Sequence, residues 1–390
     1  MKYGLMSYDY TINLGNEIQT IAARRFLPKI DYYIDHEKLN AFDKDNNVKL
    51  IMNGWFLDCL NAWPPSKNID PLLISMHFSN RKDINKVIFS EESKDYLNEY
   101  GPVGCRDKYT VNFLKDNGID AYFSGCLTLT LDSGKKYNYK DADNEYILIN
   151  HDKATQIAEF LKQKTSKKIY IINQDFAPSF DKAFPESINK NLYNLTTFYN
   201  FNQKMFIAEN FLRMYENASC IITDRLHCGL PSLALKTPVL LFNSRQRQDR
   251  FDGINDLFNR TSLDEYLDNY NIFDVDNPPE NPKDYLKIRK DLIKKCEKFT
   301  GCVKESCYTN VTYNEMLDLN TIMISNHSLE SRKYIKNILK RFEMNEKIIK
   351  KQKNEISKYK KEIENKNKII DEYNNSISWK ITSPLRKIKK

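Results

Sequence analysis

The chain has 390 residues, 41% of them hydrophobic and 12% aromatic. That is enough for two ordinary domains with full cores plus an extension, and it excludes an intrinsically disordered chain. The net charge of +8 is uneven: residues 331–390 carry +12 and the rest −4. The basic end suits an anionic membrane surface or a nucleic acid, or is simply a solvated lysine-rich helix. For the mildly acidic body, nucleic acid is not expected as a partner.

The eight cysteines stand at 59, 105, 126, 220, 228, 296, 302 and 307, with no C-x-x-C pair and no zinc-finger spacing. No metal is expected. Cys296, Cys302 and Cys307 cluster without an evident purpose. The N-terminus lacks the apolar core and cleavage site of a signal peptide, and no run of about 18 apolar residues spans a bilayer. The expected compartment is the cytoplasm, with peripheral contact at the inner membrane face through the basic tail.

In chain order, Tyr3–Ser7 reads as a first strand, and Ile18, Ile21, Ala22 and Phe26 recur at helical spacing up to Pro28. Val48–Gly54 and Pro71–His77 are short apolar runs of the kind buried on both faces of a parallel sheet. Glu92–Tyr100 reads as a helix, Pro102–Asp107 as a strand into a turn, and Thr110–Asn117 as a helix capped by a left-handed Gly118. Asp120–Phe123 starts another strand, and the polar stretch Leu131–Asn144 reads as an interdomain linker. The alternation then restarts: strands Tyr146–Asn150, Lys167–Asn173, Ser219–Asp224 and Pro238–Phe242, helices Ala154–Gln163, Lys204–Asn217 and Arg225–Lys236. After Pro278–Lys283 a helix runs to Phe299.

The tail has its own period. Ile335, Phe342, Ile349, Ile356, Ile363, Ile370 and Ile377 stand seven apart, while the matching second positions are half polar. A long helix follows, and a homo-oligomer through it is compatible with the pattern. The closing Trp379 among basic residues suits an interfacial anchor.

These alternations predict an α/β protein: two Rossmann-like domains facing a cleft, residues 1–135 and 145–320, and a basic helical tail, 330–390. In open parallel sheets ligands bind beyond the carboxyl ends of the strands. Asp224 and Arg225 fall there, between a strand and a helix N-terminus that favours an anion. Arg225 adds a fork suited to phosphate or carboxylate, and His227 can exchange a proton near neutral pH. The alternative is a helix cap and a quietly packed histidine. Asn243, Ser244, Arg245, Arg247 and Arg250, after the next strand, are candidates to reach the same anion, and a solvated basic loop is the alternative for the arginines. Gly15, Asn16, Asn53, Gly54, Trp55 and Arg106 follow strands of the first half and are candidates for the acceptor side. Gly15-Asn16-Glu17 is not a dinucleotide-binding glycine loop. At Arg106-Asp107 a pair fixing the turn is the favoured role, and His77 has no ionisable partner nearby in sequence.

Three segments together resemble the polysaccharide pyruvyl transferase family: NLGNEIQTIA, GPVGCRDKYTVNFLKDNGIDAYFSG and, most specifically, ITDRLHCGLPSLALKTPVLLF. SWKITSPLR resembles short C-terminal sequences of bacterial cell-surface glycosyltransferases. The resemblance implies a two-lobed fold like that of the GT-B glycosyltransferases. It implies transfer of pyruvate from phosphoenolpyruvate, as co-substrate and with no cofactor, onto a sugar or lipid-linked oligosaccharide as a ketal. Arg225 and Leu226 would hold phosphoenolpyruvate, and His227 would donate the proton or bind the departing phosphate. The chain departs from the family pattern at two places: Ser124-Gly125-Cys126-Leu127 stands where many relatives have an aspartate-proline turn, and Asn16 where aspartate is frequent. A nucleotide-sugar glycosyltransferase of the same architecture and a non-catalytic component of a glycan-assembly complex are the alternatives.

Overall fold

The structure is a computed structural model, and it describes residues 1–8, 13–57, 60–134, 146–172, 174, 201–242, 248–309, 355–360 and 362–372. It is an α/β protein with two all-parallel sheets. The first holds six strands: β1 (Lys2–Ser7), β2 (Tyr32–Asp35), β3 (Val48–Phe56), β4 (Ile69–Phe78), β5 (Val103–Cys105) and β6 (Ala121–Phe123), in the order β2-β1-β3-β4-β5-β6. The second holds β7 (Tyr146–Asn150), β8 (Lys168–Ile171), β9 (Cys220–Thr223), β10 (Val239–Phe242) and β11 (Asn259–Thr261), in the order β11-β10-β9-β7-β8.

Helices α1 (Gly15–Arg24), α2 (Lys82–Ile88), α3 (Glu91–Glu99) and α4 (Lys108–Lys115) accompany the first sheet. α5 (Ala154–Leu161), α6 (Phe201–Asn217), α7 (Leu226–Ala234), α8 (Gln248–Phe251) and α9 (Leu263–Asp268) accompany the second, and α10 (Tyr285–Thr300) closes the series. Gly118 does take the left-handed conformation after α4, with φ 80°. The edge strands β2 and β11 and the short helices α2 and α9 were not expected from the sequence. β11 (Asn-Arg-Thr) carries no apolar residue and β2 (Tyr-Tyr-Ile-Asp) is only four residues long, because an edge is half solvated and needs no long apolar run.

Strand periodicity places the core. Successive side chains point to opposite faces. Thus Leu5 and Ile51 face one way while Met6, Leu50 and Met52 face the other. In the second sheet Leu148, Ile221 and Leu241 share the first cluster, whereas Ile147, Ile222 and Leu240 lie in a separate one. The inner faces of both sheets, with α1, α6, α7 and α10, therefore bury a single continuous core.

α10 and the segment after it return to the first half. Arg289 donates to the carbonyls of Leu129 and Leu131 at 2.7 Å and pairs with Asp132 at 2.7 Å. Lys304 N–H bonds Arg25 O, Arg25 Nε bonds Lys304 O, and Cys307 N–H bonds Asp132 O at 2.7 Å. Glu209 on α6 pairs with Arg24 on α1 at 2.6 Å and accepts from Thr309 N and Oγ1. This strap ties α1, α6 and the end of the first sheet together.

Met1–Met316 forms one compact unit and Leu317–Lys390 a second. Of the second unit, residues 355–360 and 362–372 are helical. Ile356, Ile363 and Ile370, seven apart, are all more than half exposed, as are Tyr359 and Ile369. The other predicted heptad positions lie outside the described residues, as does most of the proposed linker. No helix among the described residues is long and apolar enough to cross a membrane.

Candidate functional site

The parallel register brings the ends of distant segments together. β7 pairs with β9 through Asn150↔Thr223, so Asp152 arrives beside Arg225. The Arg225 guanidinium is bonded to Asp152, and its Nε lies 3.4 Å from Asp224. The sequence casts Arg225 as the anion holder; in this structure two carboxylates share its charge. Asp152 is mostly exposed, so that contact is cheap to exchange.

His227 sits in the first turn of α7, whose N-cap residue Arg225 makes no side-chain cap. The opening N–H groups of α7 thus lie at the carboxyl end of β9. Across from it lies the N-terminus of α1. A Cβ on Gly15 would stand 2.7 Å from His227 Nδ1 and 3.1 Å from His227 Cβ. Only a residue with no side chain lets the two helix ends approach so closely. Leu14 N–H bonds Gln174 O at 3.0 Å, and Gln174 Nε2 donates to His227 O at 2.8 Å, which bridges the two turns. On its other side, His227 Nε2 lies 3.8 Å from Cys126 Sγ.

His227 keeps a partly exposed edge, yet protein packs closely around its ring. Burial, and then the charges of Arg106 and Arg250, push its pKa well below the ordinary histidine value. The imidazole of the free protein is therefore neutral.

Arg106 is the residue whose place is least legible in the sequence. Sequence position groups it with the acceptor candidates; the structure brings it within electrostatic reach of His227. Its side chain is 3% exposed, and its Nε lies 3.7 Å from Asp107 Oδ2 and makes no hydrogen bond among the described residues. A buried guanidinium with an unused donor is an anion site in waiting. The turn that holds it is fixed by Asp107: Asp107 Oδ1 accepts from Thr110 N at 2.8 Å and so caps α4.

His77 differs from the sequence reading. β4 pairs with β5 through Met76↔Cys105, which sets His77 beside Arg106 and Asp107. His77 Nδ1 lies 2.7 Å from Asp107 Oδ2, and both side chains are fully buried. The partner that local sequence does not reveal is thirty residues away in the chain and adjacent in the sheet.

Other candidates have structural occupations. Asn53 Nδ2 donates to Gln19 O at 3.1 Å and Asn53 O accepts from Tyr8 Oη at 3.2 Å, so Asn53 ties β3 to α1. Gly54 has φ 147°, and a Cβ there would meet Tyr8 Oη at 2.5 Å. Asn16 lies in the first turn of α1, next to Gly15. The Trp55 ring carries the Arg250 guanidinium 3.8 Å from its centroid, and Arg250, in α8, joins the group around His227. Asn243, Ser244 and Arg245 lie outside the described residues. Among the described residues no three His, Cys, Asp or Glu side chains converge as a metal-ligand set.

Such an arrangement can bind a small anion between guanidiniums and a helix N-terminus and pass it a proton from a histidine. No curated protein matches the chain. The family model for polysaccharide pyruvyl transferase matches residues 13–246, a span that runs from the turn before Gly15 through β10 and contains Arg106, Arg225 and His227. The chain belongs to the polysaccharide pyruvyl transferase family.

Proposed function

We propose that this protein transfers pyruvate from phosphoenolpyruvate onto two hydroxyls of a sugar in a cell-surface polysaccharide or its lipid-linked precursor. The observation that carries the reading is His227, a neutral, closely packed imidazole within reach of the buried guanidinium of Arg106 and of Arg250, in a chain of this family. Phosphoenolpyruvate brings a phosphate and a carboxylate, which suit Arg106, Arg250 and the uncapped start of α7. Arg225 joins them by exchanging Asp152 for the substrate.

Binding of this anion raises the His227 pKa and draws a proton from solvent onto the imidazole, and transfer of that proton to the methylene carbon makes a methyl group and an electron-poor C2. One sugar hydroxyl bonds to C2 and loses its proton. A second hydroxyl then bonds to C2 as the C2–O bond to phosphate breaks, and its proton leaves with the phosphate. One hydroxyl proton thus balances the proton delivered to carbon, and the arginines stabilise the departing charge. No cofactor enters this scheme.

The two parallel sheets around a shared core are compatible with a GT-B-like arrangement of paired Rossmann-like halves. The basic tail suits an anionic inner membrane face, and the exposed isoleucines of its helical stretch suit self-association.

Calorimetry with phosphoenolpyruvate and with a panel of nucleotide sugars tests the donor. Mass spectrometry of surface glycan from cells with and without the protein tests the product. Binding of a nucleotide sugar and not phosphoenolpyruvate makes the protein a glycosyltransferase. Restoration of a glycan defect by the tail alone makes it a scaffold.

A further inference from the structure

We propose that His77, oriented by Asp107, is the base that removes the proton from the sugar hydroxyl attacking phosphoenolpyruvate, with the Trp55 indole as the platform for that sugar ring. This rests on the pyruvyl-transfer reading and assigns its second proton-handling group. Three buried polar atoms cluster at the carboxyl ends of β3, β4 and β5: Trp55 Nε1, His77 Nε2 and Arg106 Nε. None has a hydrogen-bond partner among the described residues. Buried polar atoms are almost always paired in a structural core, so three together mark a place built for groups that arrive from outside.

The geometry around His77 sets its tautomer. Asp107 Oδ1 is occupied by Thr110 N at 2.8 Å and Thr110 Oγ1 at 2.6 Å, which leaves Oδ2 to accept from His77 Nδ1 at 2.7 Å. Nδ1 therefore carries the proton and Nε2 the lone pair. Burial raises the Asp107 carboxyl, but the His77 hydrogen bond and the neighbouring Arg106 charge outweigh it and keep the carboxylate ionised. Burial lowers the His77 pKa, against the pull of Asp107 and with the help of Arg106 and Arg250, so the ring is an unprotonated base near neutral pH. Arg106 and Arg250 also act on His227, so the two histidines share one pair of cations, with the substrate anion to fit between them.

The Trp55 ring meets the His77 ring edge-on at 5.2 Å. Arg250 covers the indole at 3.8 Å. A guanidinium stacked on an indole occupies the face that the apolar side of a pyranose would take. As Arg250 turns to the phosphoenolpyruvate anion, the sugar takes its place and brings a hydroxyl to Nε2. In that step the hydroxyl oxygen bonds to C2, its proton passes to Nε2, and the C2=C3 electron pair takes the proton of His227 at C3.

His77→Asn keeps an amide donor for Asp107 and removes the base. The full-length variant is expected to melt within a few degrees of the parent, bind phosphoenolpyruvate within about threefold, and leave the cellular glycan without pyruvate ketal, since loss of a general base costs about 10²–10⁴ in rate. Ketal at the parental level in those cells overturns the proposal. On the parent protein, nitrogen NMR of labelled histidine is expected to show His77 as the Nδ1–H tautomer, and an Nε2–H tautomer overturns it whatever the variant does. Absence of ketal with the parent chain overturns the pyruvyl-transfer reading itself.

Discussion

Gly15→Ala is a test of the site with a single added methyl. The new Cβ would stand 2.7 Å from His227 Nδ1, about 0.7 Å inside ordinary contact, and 2.9 Å from Asn13 Oδ1. Rotation of the imidazole does not relieve it, because His227 Cβ is itself only 3.1 Å away. One helix end must move. Overpacking of this kind costs about 1–3 kcal/mol, offset by at most ~1 kcal/mol from replacing glycine in a helix. The larger effect falls on function, since a misplacement of about 1 Å costs about 100-fold in rate. We expect a net loss of up to ~3 kcal/mol in urea unfolding and a weaker phosphoenolpyruvate affinity by calorimetry. Gly118→Ala is the control. It meets nothing within 4 Å but must adopt φ 80°, so it costs about 1 kcal/mol of stability and leaves the affinity unchanged. If Gly15→Ala binds phosphoenolpyruvate like the parent, α1 does not pack on His227 as described.

Three further predictions concern the charges. Arg106→Gln removes a buried charge-assisted donor worth about 1.5–3 kcal/mol, so the phosphoenolpyruvate Kd rises at least about tenfold. Asp152→Asn releases Arg225 from an exposed ion pair worth at most about 1 kcal/mol, and the Kd falls by up to about fivefold; an unchanged Kd removes Arg225 from the donor site. Glu209→Gln breaks the pair with Arg24 and weakens the contacts to Thr309. Because Arg24 is slightly exposed, the cost is about 2–4 kcal/mol in denaturant unfolding, and a change below about 0.5 kcal/mol shows that the strap is not holding α1 to α6.

The apolar runs Val48–Gly54, Pro71–His77, Tyr146–Asn150 and Pro238–Phe242 all became strands, because a strand buried on both faces has no polar alternation to confuse it. β2 and β11 hide in sequence because pairing on one edge alone sustains them. Within the site, the strand–turn–helix around Arg225 and His227 was legible, since one local pattern contains it. The His77–Asp107 pair was not. It depends on β4 and β5 being neighbours, which the chain records only through topology. The same holds for Asp152 beside Arg225. The residues within two places of each strand's carboxyl end, on either side of it, include all four side chains. The approach of Arg250 to Trp55 leaves no such trace, because it joins α8 to the end of β3 in the other sheet.

The departure at Ser124-Gly125-Cys126-Leu127 acquires a physical meaning from this placement. In that segment Cys126 Sγ lies 3.8 Å from His227 Nε2. A carboxylate in that place would raise the His227 pKa by pairing with the imidazolium. The Cys126 thiol, pushed up by burial, is neutral, so nothing opposes the burial and the two arginines that keep His227 deprotonated. The substrate must supply the missing negative charge. Binding of phosphoenolpyruvate therefore raises the His227 pKa and draws a proton from solvent. Between the pKa of the free protein and that of the complex, affinity weakens about tenfold for each step of one in pH as pH rises, because the complex holds one proton that the free protein lacks. Calorimetry near neutral pH in buffers of different ionisation heat should show more proton uptake for the parent than for His227→Asn, by up to about one proton. Equal uptake in the two proteins would mean that His227 is not the group charged by the substrate, and the acid in this site would have to be sought elsewhere.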